Sequence, residues 1–198
     1  MIGGKGVADA KRMVVLDTMC LMHYALADRL DLLGELLRDF ECYSTVIVQD
    51  ELHQKSRTID PAIMTALALD WVDFDPLDTL EDLQCFGKWK RRLGADAFNT
   101  GEASVFAVAD KHNAVAITDD RDATRVARAN GLEVHGNLWV LAHSSRAGNI
   151  PLAGAATIVD LLQATGLRLP CPGSGFEGWA NQRGLLGDTE TPGTQMGR

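Results

Sequence analysis

Three acids fall within four consecutive positions, Asp119, Asp120 and Asp122, immediately after the apolar run Ala114 to Ile117 and Thr118. Other acids stand at similar junctions. Asp17 closes the run Met13-Val-Val-Leu, Glu51 follows the β-branched stretch Cys42 to Val48, and Glu102 opens a strongly apolar helical segment ending near Lys111. Carboxylates packed together repel and cannot all stay ionised unless a cation is present. Hard oxygen donors with few nitrogens or sulfurs among them select Mg²⁺ or Mn²⁺ over zinc. Such ions activate a water and stabilise the charge of a phosphodiester undergoing displacement.

Each acid also has a purely structural reading. Asp17, and either Asp119 or Asp120, suit the N-cap of a following helix. Asn99-x-x-Glu102 fits a capping box, and Glu51 in a first turn is favoured by the helix macrodipole. Taken together these readings weaken. Ser, Thr or Asn would cap equally well, yet the junctions are acidic, and two of the acids are Glu, a poor N-cap.

The elements that must position these acids alternate. Met13 to Leu16 is a short continuous apolar run, as in a strand buried on both faces. Helical spacing follows from Met19 to about Phe40, then a strand over Cys42 to Val48 and a helix opening at Gln49-Asp50-Glu51. Asp60-Pro61 starts a helix to Leu69, Trp71 to Phe74 alternates as a strand, and Pro76 begins a helical stretch toward Arg92. After a loop at Leu93 to Gly101 come the Glu102 helix, the Ala114 strand, the Asp122 helix stopped by Gly131, and a short strand Leu132 to His135. Helices over Asn137 to Arg146 and Leu152 to Ala164 complete the pattern. Strand–helix alternation implies right-handed crossovers and a mostly parallel sheet of four to five strands, covered on both faces as an α/β/α sandwich. Ligands in such sheets sit beyond the carboxyl ends of the strands, where Asp17, Glu51 and Asp120 project. Glu102 reaches the same edge if the N-terminus of its helix lies there.

The 198 residues, 46% of them hydrophobic, make one domain the expectation. Its expected extent is 13–169, after a loose leader at 1–12 and before a Gly/Pro-rich, mobile tail at 170–198. In that tail Phe176, Trp179 and Leu185-Leu186 form a hydrophobic knot suited to a partner or to folding back. The net charge of −8 argues against a broad basic nucleic-acid surface while leaving room for a local one. Four scattered cysteines without metal-ligand spacing read as reduced thiols of a cytoplasmic protein, and no window is long and apolar enough for a membrane span. Lys88-Trp-Lys-Arg-Arg92 suits either a phosphate grip by Lys88, Lys90 and Arg91, with Trp89 stacking on a base, or a solvated helix face with one anchored Trp. The five histidines show no pairing at motif spacing.

The ordered set Val-Val-Leu-Asp17-Thr18, Val48-Gln-Asp-Glu51-Leu, Gly101-Glu102-Ala and Ile-Thr118-Asp-Asp120-Arg-Asp122 resembles a PIN domain. The stretch from Arg125 to Leu141, with Gly148-Asn-Ile, resembles the small VapC-like branch, and the resemblance covers about Met13 to Leu169. It implies a metal-dependent ribonuclease, often the toxin of a toxin–antitoxin pair, that forms homodimers and is silenced by an antitoxin. By position, Asp17, Glu51, Glu102 and Asp120 match the acidic quartet and Asp122 the frequent extra acid, so that Asp17, Glu102, Asp120 and Asp122 would bind the metal. Thr18 and Thr118 match supporting hydroxyls, with Asp119 beside them as a further support or an alternative ligand to Asp120. Arg121 and Arg125 are placed to steer phosphates of an RNA substrate. Met19 departs from the pattern, which commonly has Asn there; its loss weakens the support of the carboxylates. Two rivals stand against an Mg²⁺ or Mn²⁺ ribonuclease. One is a catalytically degenerate PIN module that binds RNA or a protein. The other is an aspartyl-nucleophile phosphatase, which wants a second Asp where Met19 stands.

Overall fold

The computed structural model describes residues 11–94 and 99–187. Most of the expected leader, part of the 93–101 loop and the end of the tail lie outside them. Five strands form one sheet: β1 (Arg12–Leu16), β2 (Phe40–Thr45), β3 (Val72–Asp75), β4 (Val115–Ile117) and β5 (Val134–His135). Their order is β3-β2-β1-β4-β5, and every pairing is parallel. Val14, Val15 and Leu16 of β1 and all of β4 are buried, as the uninterrupted apolar runs of a sheet covered on both faces require. The strand order reverses at β1 and β4, whose register pairs Leu16 with Ile117. That neighbouring pair is the topological switch point of the sheet.

The helices are α1 (Thr18–Leu26), α2 (Leu30–Leu36), α3 (Val46–Thr58), α4 (Leu80–Arg92), α5 (Thr100–His112), α6 (Arg121–Ala129), α7 (Asn137–Arg146), α8 (Leu152–Ala164) and α9 (Phe176–Asn181). Three boundaries depart from the sequence pattern for identifiable reasons. The expected helix from Met19 to Phe40 is two helices, broken where Asp28 takes a left-handed conformation (φ 54°). The second strand stops at Thr45, whose hydroxyl accepts from Val48 N at 3.1 Å and N-caps α3. The β-branched run Val46-Ile-Val therefore opens a helix, and Glu51 lies well inside it. Asp60 caps the next segment as expected, accepting from Ala62 N, but Pro61–Ala68 winds as a 3-10 helix.

Helix α4 starts at Leu80, later than Pro76, because Thr79 and Asp82 form a reciprocal capping box. Lys111 of α5 donates to Asp82 Oδ1 at 2.5 Å and ties the two helices together. This pair and the Thr79 hydrogen bonds hold the Asp82 carboxyl down from 3.8 to about 2. A depressed carboxyl stabilises the fold above its unfolded pKa, and that contribution fades as pH falls from about 4 through about 2. Asp82→Asn is expected to lower stability at neutral pH by about 1–2 kcal/mol, through a weakened cap and a lost ion pair. Urea unfolding should show the gap from wild type closing as pH approaches 2. A gap that persists there would remove the ion pair as its cause.

Of the stretch expected to be a mobile tail, residues 170–187 are described and they fold back onto the domain. Gly173–Gly175 forms a 3-10 turn whose Gly173 N donates to Asp160 Oδ1 at 2.7 Å. In α9, Phe176 and Ala180 are buried against the core. No helix among the described residues is long and apolar enough to cross a membrane.

Candidate functional site

Asp17 directly follows β1 and caps α1, its Oδ1 accepting from Cys20 N at 2.8 Å. Its backbone N donates to Ile117 O at 3.1 Å, which locks the β1 end beside the β4 end. The side chain is buried, and Oδ2 is shielded from solvent without a hydrogen-bond partner. Burial pushes this carboxyl up to about 8, and the charges of Glu102 and Asp119 push the same way. The nearby Thr118 hydroxyl and the Cys20 amide offset part of that rise. Thr118 nevertheless makes no hydrogen bond of normal geometry to Oδ2.

Thr18, one residue on, donates its hydroxyl to Glu51 Oε2, joining α1 to α3. Glu51 also presses on Gly101 in the first turn of α5. A Cβ there would stand 2.7 and 2.8 Å from the two carboxylate oxygens. A glycine here leaves the Glu51 carboxylate its place against α5, and the next residue is Glu102. Burial raises the Glu102 carboxyl above its ordinary value, with Glu51 and Asp120 adding to the rise and Lys55 opposing it. Glu102 thus links Asp17 electrostatically to Glu51 of α3 and to Asp120 at the start of α6. A recess of about 390 Å³ opens there, with Thr18, Met19, Glu51, Lys55 and Glu102 in its lining.

The structural alternatives divide. Asp17 and Asp120 do cap helices, Asp120 Oδ1 accepting from Ala123 N at 2.7 Å. Each cap uses one oxygen and leaves the other. Glu51 is outside the first turn, and Asn99 forms no capping box, its Nδ2 donating instead to Leu93 O. Glu51 therefore has no capping function, whereas Glu102, in the first turn of α5, engages its own backbone amide.

Asp119 and Asp120 separate clearly. Asp119 turns toward α7, accepting from Asn137 Nδ2 at 2.6 Å and Asn137 N at 3.2 Å. A Cβ on Gly136 would collide with Asp119 Oδ1, so this approach also needs a glycine. Asn137 is fully buried, and its Oδ1 accepts from Cys20 Sγ at 3.3 Å. Asp119→Ala is expected to cost about 2 kcal/mol, because it strands a buried amide. Thermal unfolding checks this, and an unchanged midpoint would mean that water replaces the carboxylate.

Other expected residues stand apart. Asp122 is exposed and pairs with Arg125 at 2.8 Å, so it is not brought to the acids. Arg121 and Arg125 lie on the exposed face of α6. In α4, Lys88 pairs with Asp110 at 3.0 Å and Lys90 Nζ donates to Thr100 Oγ1 at 2.9 Å, while Arg91 is exposed. Trp89 is fully buried and donates to Asp110 Oδ2, and that burial rules out base stacking there. Lys55 was the omission: it follows Glu51 at i+4, a spacing that places both on one helix face.

Among the described residues, no three His, Cys, Asp or Glu side chains are gathered tightly enough to hold a metal. The hydrogen bonds explain the spread: Glu51 leans on Thr18, Asp119 on Asn137 and Asp120 on its own helix. The donor set is nevertheless all oxygen, and the buried Asp17 Oδ2 has no partner while its carboxyl feels the charges of Glu102 and Asp119. These residues fit a hard cation by donor type.

Comparison with known proteins finds no matching curated protein and no matching solved structure. A family profile described as PIN domain matches residues 13–172, from within β1 to the segment after α8, and so takes in the other four strands whole and every acid of the site. The chain belongs to the PIN-domain family, a fold generally of nucleases.

Proposed function

We propose that the chain is an Mg²⁺- or Mn²⁺-dependent endoribonuclease that hydrolyses RNA phosphodiester bonds at the acidic edge of β1 and β4. The observation that carries this reading is the buried, partnerless Asp17 oxygen at the end of β1, where the strand order reverses, with Glu102 electrostatically coupled to Asp17, Glu51 and Asp120. In this reading Asp17 and Asp120 supply anionic oxygens from the two strand ends, and Glu102 supplies a third from α5. Asp122 is left out of the set because it faces solvent. A bound divalent cation supplies the positive charge that lets these acids ionise together and that polarises water and phosphate. Thr18 orients Glu51 through its hydroxyl. Lys55 stands beside both Glu residues as a point charge for a phosphate oxygen.

The test is cleavage of labelled RNA in Mn²⁺ by the wild type, Asp17→Asn and Asp120→Asn. Loss in both variants and in EDTA is the expected outcome, and unchanged cleavage in both would end the assignment.

We place the protein in the VapC-like branch, as the cytoplasmic toxin of a toxin–antitoxin pair acting as a homodimer, on the resemblance carried by Arg125 to Leu141. An adjacent short gene for a DNA-binding antitoxin is the expected companion, and its absence would favour a solitary RNA-processing nuclease. A degenerate, non-catalytic module finds support in Met19, which lines the recess where the pattern has Asn. The complete acid set weighs more heavily. A phosphatase finds no support, since Met19 leaves the nucleophile motif without its second Asp.

A further inference from the structure

A second groove, of about 740 Å³, shares the β4 end with the acidic site, since Thr118 and Asp119 line it. Arg121, Arg125 and Arg128 of α6, Trp139 of α7, and Trp179 and Arg183 from α9 and the residues after it all line it. In a chain of net charge −8, four guanidinium groups line one groove, and only that of Arg125 is paired with an acid, Asp122, among the described residues. Asp119 is the one acid among the lining residues, and its oxygens are engaged by Asn137.

The part of the lining after residue 172 has a separate origin. Trp179 and Arg183 lie past residue 172, where the match to the family ends. This part is nonetheless fixed in place. Phe176 and Ala180 are buried, Gly173 is bonded to Asp160, and Arg183 lies over the Trp179 ring at 4.4 Å.

We propose that this groove binds single-stranded RNA on one side of the scissile bond, with the segment after residue 172 acting as a wall against which an unpaired base packs. Arginines meet phosphates, and a guanidinium lying on an indole offers a flat, cationic surface to a base. A duplex keeps its bases stacked and hidden, so it gains only the phosphate contacts. The proposal rests on the nuclease reading for the identity of the polymer, but binding in the groove does not require the acids.

The experiment is fluorescence anisotropy of a short labelled single-stranded RNA in EDTA, with a duplex of the same sequence as the comparison. The proteins are the wild type, Arg121→Glu and Arg183→Glu, with circular dichroism melts to check folding, since both side chains belong to exposed residues. The expected result is tighter binding of the single strand than of the duplex, about a 10-fold loss in each variant, and a shallower salt dependence. Unchanged affinity in both folded variants, or a duplex bound as tightly, would overturn the proposal. The same RNA with Mn²⁺ separates the two readings. Binding that depends on the arginines without cleavage would sink the nuclease and leave the groove standing, whereas cleavage with arginine-independent binding would do the reverse.

Discussion

Asp17→Asn is expected to abolish RNA cleavage while making the protein more stable in the absence of divalent cations. Asn caps a helix as well as Asp, so the hydrogen bond from Cys20 N survives. What disappears is a buried negative charge. The folded state raises this carboxyl from 3.8 to about 8, chiefly by burial, so folding is penalised as pH rises above about 4, and the penalty is complete above about 8. A neutral amide carries no such penalty. The gain at pH 8 should be about 1–3 kcal/mol, the size left once relaxation and water entry blunt a burial cost. It should shrink toward pH 4, where the wild-type carboxyl is itself protonated. Cleavage should fall by about 100-fold or more, because an anionic oxygen of the site is gone. Thermal melts in EDTA across that pH range, paired with cleavage assays in Mn²⁺, check both halves. A variant that melts earlier than the wild type at pH 8 would mean that the buried charge is compensated within the protein.

Gly101→Ala makes the second large effect. An added methyl at the start of a helix is ordinarily favourable, by up to about 1 kcal/mol. Here it would stand 2.7 Å from Glu51 Oε2. The colliding atoms end a flexible side chain, so α5 need not move, and Glu51 swings away from Thr18 instead. Stability is expected to stay within about 1 kcal/mol of wild type while kcat falls about 10- to 100-fold, the usual result of misplacing a supporting carboxylate. Melting curves and steady-state kinetics separate the two quantities. Wild-type kcat with a retained fold would show that the position of Glu51 is immaterial to the reaction.

How much of this was legible beforehand depended on how locally each feature is encoded. The runs Val14 to Leu16 and Val115 to Ile117 are apolar throughout, so the buried parallel strands and the acids that follow them could be read directly. Helices α7 and α8 also end where their sequence signals lie, each followed by a glycine at positive φ, Gly148 and Gly166. Boundaries set by a single side chain were harder. The Thr45 cap turns a β-branched run into helix, and the left-handed Asp28 splits α1 from α2. The choice between Asp119 and Asp120 could not be made from neighbours in sequence. It depends on Asn137, 18 residues away, and on the space left by Gly136. Trp89 looked like a stacking platform within a basic run, but Asp110 across the helix pair draws its indole inward. The groove wall at Trp179 and Arg183 was hidden for the opposite reason. A Gly/Pro-rich composition reads as loose chain, although two buried anchors, Phe176 and Ala180, hold it.

Calorimetric titration of Mn²⁺ into protein stripped of divalent cations tests the central claim most directly, that these four acids form one cation site. The account predicts saturable binding by the wild type that is lost, or weakened about 10-fold or more, in both Asp17→Asn and Asp120→Asn. Absence of saturable binding, or equal binding by the wild type and both variants, would contradict it.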